Sequence, residues 1–272
     1  KDSAQLLIIT EDNCGCTIQA KPHLSALQRF AKNQGVEVQT FKLNSQLKSV
    51  VPATPAAVLI DKNGEFVYAD SVQFRPLVRT YEWSVWDQEE GKFSSRSIQA
   101  PSLDYQFPDT TGGNKCGRLT KSDEEQLGED HPQTLASRLA TCNQVFYALI
   151  TMTGKTAGGT EVKIENYPVM TYFKRSGFRP AREAIERLGR NTLMNEVVFE
   201  LTTKRHKMGS VTYFTPVFTQ SRSVRLDGPT TELLTMFLET VKASNANILE
   251  QHKEAVKAKS STEEVDLAAD FN

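Results

Sequence analysis

Two groups of residues in this sequence could carry out chemistry: a pair of closely spaced cysteines, and stretches that mix cations with aromatic rings. Cys14 and Cys16 are separated by one glycine and lie between an apolar run and a predicted helix. The start of a helix stabilises a thiolate through the helix dipole and the free backbone amides, and the thiolate is the reactive form. These cysteines therefore predict redox chemistry or, as the alternative, two reduced thiols with a packing role.

The cations and aromatic rings lie together in MTYFKRSGFRPAR and TKRHKMGSVTYF, and EWSVW adds two tryptophans. Proteins bind single-stranded nucleic acid with cations that contact phosphates and with flat side chains that stack on bases, each stacked base contributing roughly 1–3 kcal/mol. The candidate nucleic-acid-binding residues are Trp83, Trp86, Tyr172, Phe173, Lys174, Arg175, Phe178, Arg179, Arg182, Lys204, Arg205, Lys207, Tyr213 and Phe214. The alternative is that the aromatic rings belong to the core and that the cations are only solvated.

Residues 1–72 are predicted to form an α/β unit that positions the two cysteines. The apolar runs QLLIIT and AAVLI and the alternating VEVQTFKL predict strands, and DKNGEFVYA predicts a hairpin partner. PHLSALQRFAKNQG has its apolar residues at helical spacing. The predicted order is therefore strand, cysteine motif, helix, strand, strand and hairpin strand.

This order, together with Pro22 and the stretch ATPAAVLIDKNGE, resembles the thioredoxin fold. The resemblance implies that Cys14, Cys16 and Pro55 are the redox residues. The sequence departs from the family pattern, because the family separates its two cysteines by two residues and Thr17 occupies the second position here. A disulfide between cysteines separated by one residue would be strained.

Residues 73–227 are predicted to be a β-rich domain with three hairpins, one helix at FRPAREAIERLGR and an acidic surface loop at TKSDEEQLGEDHPQ. Strands of this number predict a small β-barrel or a strongly bent sheet. The stretch from Lys163 to Arg225 contains twelve Lys or Arg against five Glu, although the whole chain has a net charge of −1. Such an asymmetry is typical of proteins with nucleic-acid partners.

Residues 228–258 are predicted to form a C-terminal helical segment, and residues 259–272 an acidic tail. The tail has too little apolar surface to fold by itself, so it is expected to be disordered. Its candidate partner-binding residues are Glu263, Glu264, Asp266, Asp270 and Phe271.

The tail sequence DLAADFN, placed after a basic β-rich region, resembles the acidic tip of bacterial and bacteriophage single-stranded DNA-binding proteins, which are built on oligonucleotide-binding (OB) barrels. The resemblance implies sequence-independent binding of single-stranded DNA in phage DNA replication or recombination. It also implies a tail that recruits replication or transcription proteins and competes with DNA for the protein's own groove. The alternative is an inert, solubilising tail.

The expected fold is therefore α+β: a thioredoxin-like α/β unit, an OB-like β-barrel domain, a C-terminal helix and a disordered acidic tail. The expected function is non-enzymatic DNA binding. The alternatives are a thioredoxin-like thiol–disulfide oxidoreductase and a non-enzymatic adaptor of a replication or transcription complex.

Composition indicates the class of protein and the compartment in which we expect it. The chain is 39% hydrophobic and 24% charged, has no apolar run of membrane-spanning length, and begins with residues untypical of a signal peptide. Four cysteines do not make a disulfide framework, so we expect a reducing cytoplasm, that of the host if a phage encodes the protein. Cys116 and Cys142 are expected to be structural thiols. No cofactor or metal is expected, and a homo-oligomer is left open.

Overall fold

The computed structural model of the chain describes residues 5–8, 37–40, 57–60, 66–87, 92–156, 158–189, 191–209 and 211–269. The predictions made for Cys14, Cys16, Pro55, Asp270 and Phe271 lie outside the described residues.

Four short strands lie in the first 70 residues, where the sequence predicted them. Strands β1 (Gln5–Ile8) and β2 (Glu37–Thr40) pair in parallel, and β3 (Ala57–Ile60) pairs antiparallel with β4 (Phe66–Ala69). The predicted strands and their hairpin are confirmed.

Six further strands make the three predicted hairpins. They are β5 (Val72–Asp87), β6 (Lys92–Arg96), β7 (Thr141–Thr156), β8 (Glu161–Lys174), β9 (Val197–Met208) and β10 (Val211–Ser223). The described strands form one mostly antiparallel sheet in the order β10-β9-β5-β7-β8-β1-β2, with β3, β4 and β6 paired outside this path. The sheet is open, with β10 and β2 at its ends, and does not confirm the predicted OB-like barrel.

Four helices complete the described fold: α1 (Lys121–Leu127), α2 (Pro132–Ser137), α3 (Phe178–Glu186) and α4 (Gly228–Ala269). Helices α1 and α2 replace the predicted acidic loop. The loop prediction was wrong because Thr120 and Asp123 form a capping box, which satisfies free amides at the start of α1.

The C-terminal helix extends farther than the sequence predicted. Asp227 accepts a hydrogen bond from the backbone N–H of Thr230 at 2.8 Å, which caps the start of α4. The helix continues past Lys259, the predicted start of the tail, to Ala269. It contains neither proline nor glycine after Pro229, and residues of the predicted tail such as Glu, Leu and Ala favour helix.

The chain forms two compact units. The first unit combines residues 1–79 and 144–238, and the second combines residues 80–143 and 239–272. The predicted domain boundaries near residues 72 and 227 stay a prediction, because much of the first 65 residues lies outside the described part of the chain.

The first unit has an apolar core to which β4, β5, β7, β8 and α3 contribute, including Phe74, Phe146 and Val169. At its margin, the Arg75 guanidinium donates to the carbonyls of Asn195 at 2.9 Å and Arg225 at 3.0 Å. These two bonds tie β5 to the segments that flank β9 and β10.

The second unit has a more polar interior. Glu82 and Arg96 are buried and form an ion pair of 2.7 Å, and the Asp109 carboxylate is buried among backbone amides of its own loop. The backbone N–H of Gln99 donates to the side chain of Asn245 at 2.7 Å, which attaches the second half of α4 to this unit. These bonds offset part of the cost of burying the groups, and burial raises the pKa of Glu82 to about 8.

Candidate nucleic-acid interface

The β9–β10 hairpin sorts its basic and aromatic residues onto two opposite faces. Residues directly opposite each other in an antiparallel pair lie on the same face, and successive residues of one strand alternate between faces. The register pairs Arg205 with Phe214 and His206 with Tyr213. One face, which we call the core-side face, carries Phe199, Leu201, Arg205, Lys207, Phe214, Pro216 and Phe218. The other, the outer face, carries Lys204, His206, Met208, Tyr213 and Val217.

The core-side face is buried at the end far from the turn and exposed near the turn. Far from the turn, Phe199 and Phe218 pack edge to face, with ring centroids 5.9 Å apart. Nearer the turn, Phe214 is 38% exposed, and the exposed cations Arg205 and Lys207 lie on the strand opposite it. This end of the face therefore combines an accessible aromatic ring with two positive charges.

The turn Arg175–Gly177 adds a further cation beside this face. A Cβ at Gly177 would lie 3.5 Å from Cδ of Pro216, so the turn contacts β10 there. Pro216 is two residues from Phe214 and lies on the same face. Arg175 is exposed and has a φ of 47°, an uncommon conformation for a residue with a side chain. We call the exposed cations of this turn and of the core-side face, together with Phe214, the basic patch: Arg175, Arg205, Lys207 and Phe214.

The outer face is more apolar than basic. The rings of His206 and Tyr213 stack, with centroids 5.1 Å apart and an interplanar angle of 14°. The His206 ring is also hydrogen-bonded to the Thr215 hydroxyl at 2.9 Å. Because these partners occupy one side of the Tyr213 ring, Phe214 is the better candidate for stacking on a base. The sequence predicts Tyr213, Lys204, Phe214 and Arg205 as members of one site, but the two-residue period of the strands places the first two on the outer face and the other two on the core-side face.

The arginines of α3 are exposed but engaged. Arg179 and Arg182 form ion pairs of 2.5 and 2.6 Å with Glu183 and Glu186, one turn along the same helix. Hydrogen bonding from Arg179 holds the pKa of Glu183 below its usual range. Exposed pairs of this kind contribute little to stability, so a phosphate could replace the carboxylate, although the two arginines and two glutamates of the helix leave it without net charge.

Four predicted residues of the first unit are half-buried. Phe173 packs edge to face against Phe146 and Phe218, at 5.4 and 5.3 Å, and belongs to the rim of the core. Tyr172 is half-buried with its hydroxyl near the sulfur of Met170, and the half-buried Phe178 begins α3. Lys174, also half-buried, directly precedes the Arg175 turn.

The tryptophans belong to the second unit. Trp83 and Trp86 are both half-buried on β5, and Trp86 packs edge to face against Phe93 with centroids 5.7 Å apart. Neither is counted in the basic patch, all of which lies in the first unit.

The described cysteines are poor nucleophiles. Burial raises the pKa of both the Cys116 and the Cys142 thiol to about 12, so each is protonated at neutral pH. The Cys116 thiol donates to the carbonyl of Trp83 at 3.3 Å. A structural role is therefore supported for both.

The acidic residues Glu263, Glu264 and Asp266 lie within α4, so the backbone presents them on a helix. Among the described helices, none combines the length and apolar composition that a bilayer crossing requires. Within the same described part of the chain, no cluster of three or more His, Cys, Asp or Glu side chains is arranged to hold a metal ion.

Comparison with known proteins adds one finding. Residues 1–71 match a family model described as a domain of unknown function, DUF6436. No curated protein and no solved structure matches the chain. The match ends near the beginning of β5, so it does not include the basic patch.

Proposed function

We propose that the protein binds single-stranded DNA, without reading its sequence, through the basic patch. The observation that carries the proposal is the face sorting of the β9–β10 hairpin, which brings Arg205, Lys207 and the exposed ring of Phe214 to one surface. Arg175, on the turn that contacts Pro216, extends the same surface. This is the combination of cation and accessible aromatic ring that an unpaired strand requires.

The proposed mechanism has an electrostatic and a stacking part. The three cations attract phosphates and release condensed counterions, so affinity falls as salt rises. Phe214 stacks on one base, and every base has a π-face, so stacking does not discriminate among sequences. Lys174 and the arginines of α3 extend the track of positive charge as weaker contributors, since Arg179 and Arg182 are already paired with carboxylates.

The proposed setting is phage DNA replication or recombination, in the host cytoplasm. Glu263, Glu264, Asp266, Asp270 and Phe271 recruit a replication or transcription protein in this proposal. An acidic segment is also expected to compete with phosphates for the basic patch. The similarity to DNA-binding proteins with OB barrels is one of local chemistry, a basic and aromatic β-surface followed by an acidic end.

Fluorescence anisotropy of a labelled oligo-dT of about 30 nucleotides tests the proposal, because stacking on unpaired bases needs no defined sequence. The double variant Arg205→Glu/Lys207→Glu should bind at least about tenfold more weakly, since two phosphate contacts become repulsive. Lys204→Glu is the matched control: it reverses a charge on the same strand but on the outer face. Equal affinity of all three proteins, or binding that ignores salt, contradicts the proposal.

A second titration tests the acidic segment. Neutralising Glu263, Glu264 and Asp266 to the corresponding amides keeps helix-compatible residues and removes three negative charges. If the segment competes with DNA, this variant binds oligo-dT more tightly than the unmodified protein, and the difference shrinks at high salt. Unchanged affinity at low salt rejects the competition while leaving the basic patch in place.

A thioredoxin-like thiol–disulfide oxidoreductase is the second candidate function. The observations that support it are the parallel pairing of β1 with β2 and the β3–β4 hairpin, although β1 also pairs in parallel with β8, outside residues 1–72. An insulin-reduction assay tests it. Turnover that is lost in Cys14→Ser supports the oxidoreductase, and no turnover by the unmodified protein rejects it.

A further inference from the structure

The β9–β10 hairpin divides its cations and its aromatic rings between its two strands as well as between its two faces. On the core-side face, both exposed cations, Arg205 and Lys207, belong to β9. Strand β10 has no Lys or Arg from Val211 to Ser221, and it supplies the exposed ring of Phe214. One strand is therefore chemically suited to phosphates and the other to bases.

The two cations follow the axis of the hairpin. Arg205 and Lys207 are two residues apart on one strand, so they lie on the same face and are separated by about 7 Å along the strand. This separation is close to that of neighbouring phosphates in an extended single strand of DNA. Phe214 lies directly opposite Arg205, across a spacing of about 5 Å between the strands. A nucleotide whose phosphate contacts Arg205 can therefore place its base over Phe214.

Near its turn the hairpin is only two strands wide. Within the described residues, β5 pairs with β9 only at Phe199, Glu200 and Leu201, and β10 is the end strand of the sheet. A single strand of DNA that crossed the hairpin would contact only one of the two cations of β9, because they are arranged along the hairpin and not across it. A strand that lies lengthwise contacts both cations and Phe214.

The accessible part of the core-side face is short. Pro216, two residues from Phe214 and on the same face, is half-buried and contacts the turn that carries Arg175. Beyond it, Phe218 packs against an apolar cluster that includes residues of α3. The accessible face therefore extends from Lys207 to the level of Pro216, four residues farther along β9 and about 14 Å away.

We propose that a single strand of DNA lies lengthwise on the core-side face, with its phosphates over β9 and its bases over β10. The inference rests on the proposed function and adds the path of the ligand and the class of DNA that fits it. The accessible length takes about three nucleotides, since each step between phosphates matches two residues of the strand. The ligand is thus a short unpaired run, such as a gap or a single-stranded end. A duplex does not fit, because its bases are stacked on each other and cannot reach Phe214.

An oligomer without bases separates the roles of the two strands. Fluorescence anisotropy compares labelled oligo-dT with an abasic oligomer of equal length, which has the same phosphates. The unmodified protein should bind oligo-dT at least about fivefold more tightly, the lower end of what one stacked base contributes. Phe214→Ala should abolish this preference, whereas Lys207→Gln should weaken the binding of both oligomers by the same factor. A preference that survives Phe214→Ala, or one that Lys207→Gln removes, would overturn the inference.

A cation added on the path should strengthen binding. Thr203, half-buried on β9, lies on the same face as Arg205 and two residues farther from the turn, whereas Thr202 lies on the outer face. Thr203→Lys should make the log–log salt slope more negative by about 0.7, because one more phosphate is contacted. Thr202→Lys is the matched control, with the same charge on the same strand, and should leave the slope unchanged. Equal slopes for the two variants would overturn the lengthwise path.

The length of the ligand distinguishes failure of this inference from failure of the proposed function. Unlabelled oligo-dT of two to twelve nucleotides competes with the labelled oligomer of about 30. Affinity should rise steeply up to about three nucleotides, the length of the accessible face, and afterwards only in proportion to the number of registers. A steep rise that continues to twelve nucleotides, with Arg205→Glu/Lys207→Glu still defective, would keep DNA binding by the basic patch and reject the short lengthwise site. No binding of the labelled oligomer by the unmodified protein would reject the proposed function, and this inference with it.

Discussion

Arg205 lies directly opposite Phe214 in the β9–β10 hairpin, so a cation and an exposed aromatic ring share one face. Their sequence neighbours Lys204 and Tyr213 lie on the other face, where Tyr213 stacks on His206. A hairpin whose cations and aromatic rings adjoin in sequence therefore divides them between two faces.

Replacing Phe214 with alanine should weaken oligo-dT binding by about 1–3 kcal/mol, the usual contribution of one stacked base. Tyr213→Ala is the matched control, because it removes an adjacent ring from the outer face and should change the affinity little. Anisotropy titrations at one salt concentration compare the two. A larger loss for Tyr213→Ala would transfer the DNA site to the outer face.

Replacing Lys207 with glutamine should reduce the salt dependence of DNA binding. Each phosphate contact contributes about −0.7 to the log–log slope for a single strand, so the slope should become shallower by about that amount. Titrations at four or more salt concentrations measure it. A slope equal to that of the unmodified protein would show that Lys207 contacts no phosphate, even if the affinity at one salt concentration had fallen.

Replacing Gly154 with alanine should destabilise the first unit. A Cβ at this position would lie 2.5 Å from the carbonyl oxygen of Tyr68 and 2.7 Å from Cγ1 of Val67, so β4 or β7 would have to move. Overpacking of this kind costs about 1–3 kcal/mol of unfolding free energy. Gly158→Ala, in the same hairpin, has its nearest neighbour at 3.7 Å and serves as the control. Urea denaturation curves compare the variants, and equal midpoints would contradict the close approach.

Replacing Arg96 with methionine should destabilise the second unit by about 3–5 kcal/mol, because it leaves the fully buried carboxylate of Glu82 without its charged partner. Adding Glu82→Leu to that variant should recover much of the loss, since an apolar pair often replaces a buried ion pair without cost. Denaturation of both single variants and the double variant completes the cycle. Additive losses would show that the two side chains do not depend on each other.

Asp227 should contribute to the loss of stability in acid. Hydrogen bonds from the Thr230 hydroxyl and backbone amide hold its pKa below the usual value, so the folded state favours the carboxylate. That stabilisation is complete above the unfolded pKa of about 3.9 and is lost as pH falls through the lower pKa of the folded state. Asp227→Asn keeps an acceptor without the charge and should flatten this part of the melting temperature–pH curve. An unchanged curve would remove Asp227 from the acid response.

The elements of the sheet were largely predictable because their signals are local. Apolar runs and two-residue alternation located β1 to β4 and the three long hairpins. The helices α1 and α2 were missed, since an acidic segment without an apolar stripe gives no periodic signal, and their stability comes from a capping box and from the buried contacts of Ser137. Asp123, three residues after Thr120, was the available clue.

The sequence by itself determined the mixed α+β composition, the strands, and the concentration of cations and aromatic rings between residues 163 and 225. Only the tertiary structure decided which of those residues share a surface. Register assigned Arg205 and Phe214 to one face and Lys204 and Tyr213 to the other, and core packing enclosed Phe173 among other phenylalanines. The physical reason is that composition and spacing are properties of the chain, whereas register, burial and helix orientation depend on partners distant in sequence.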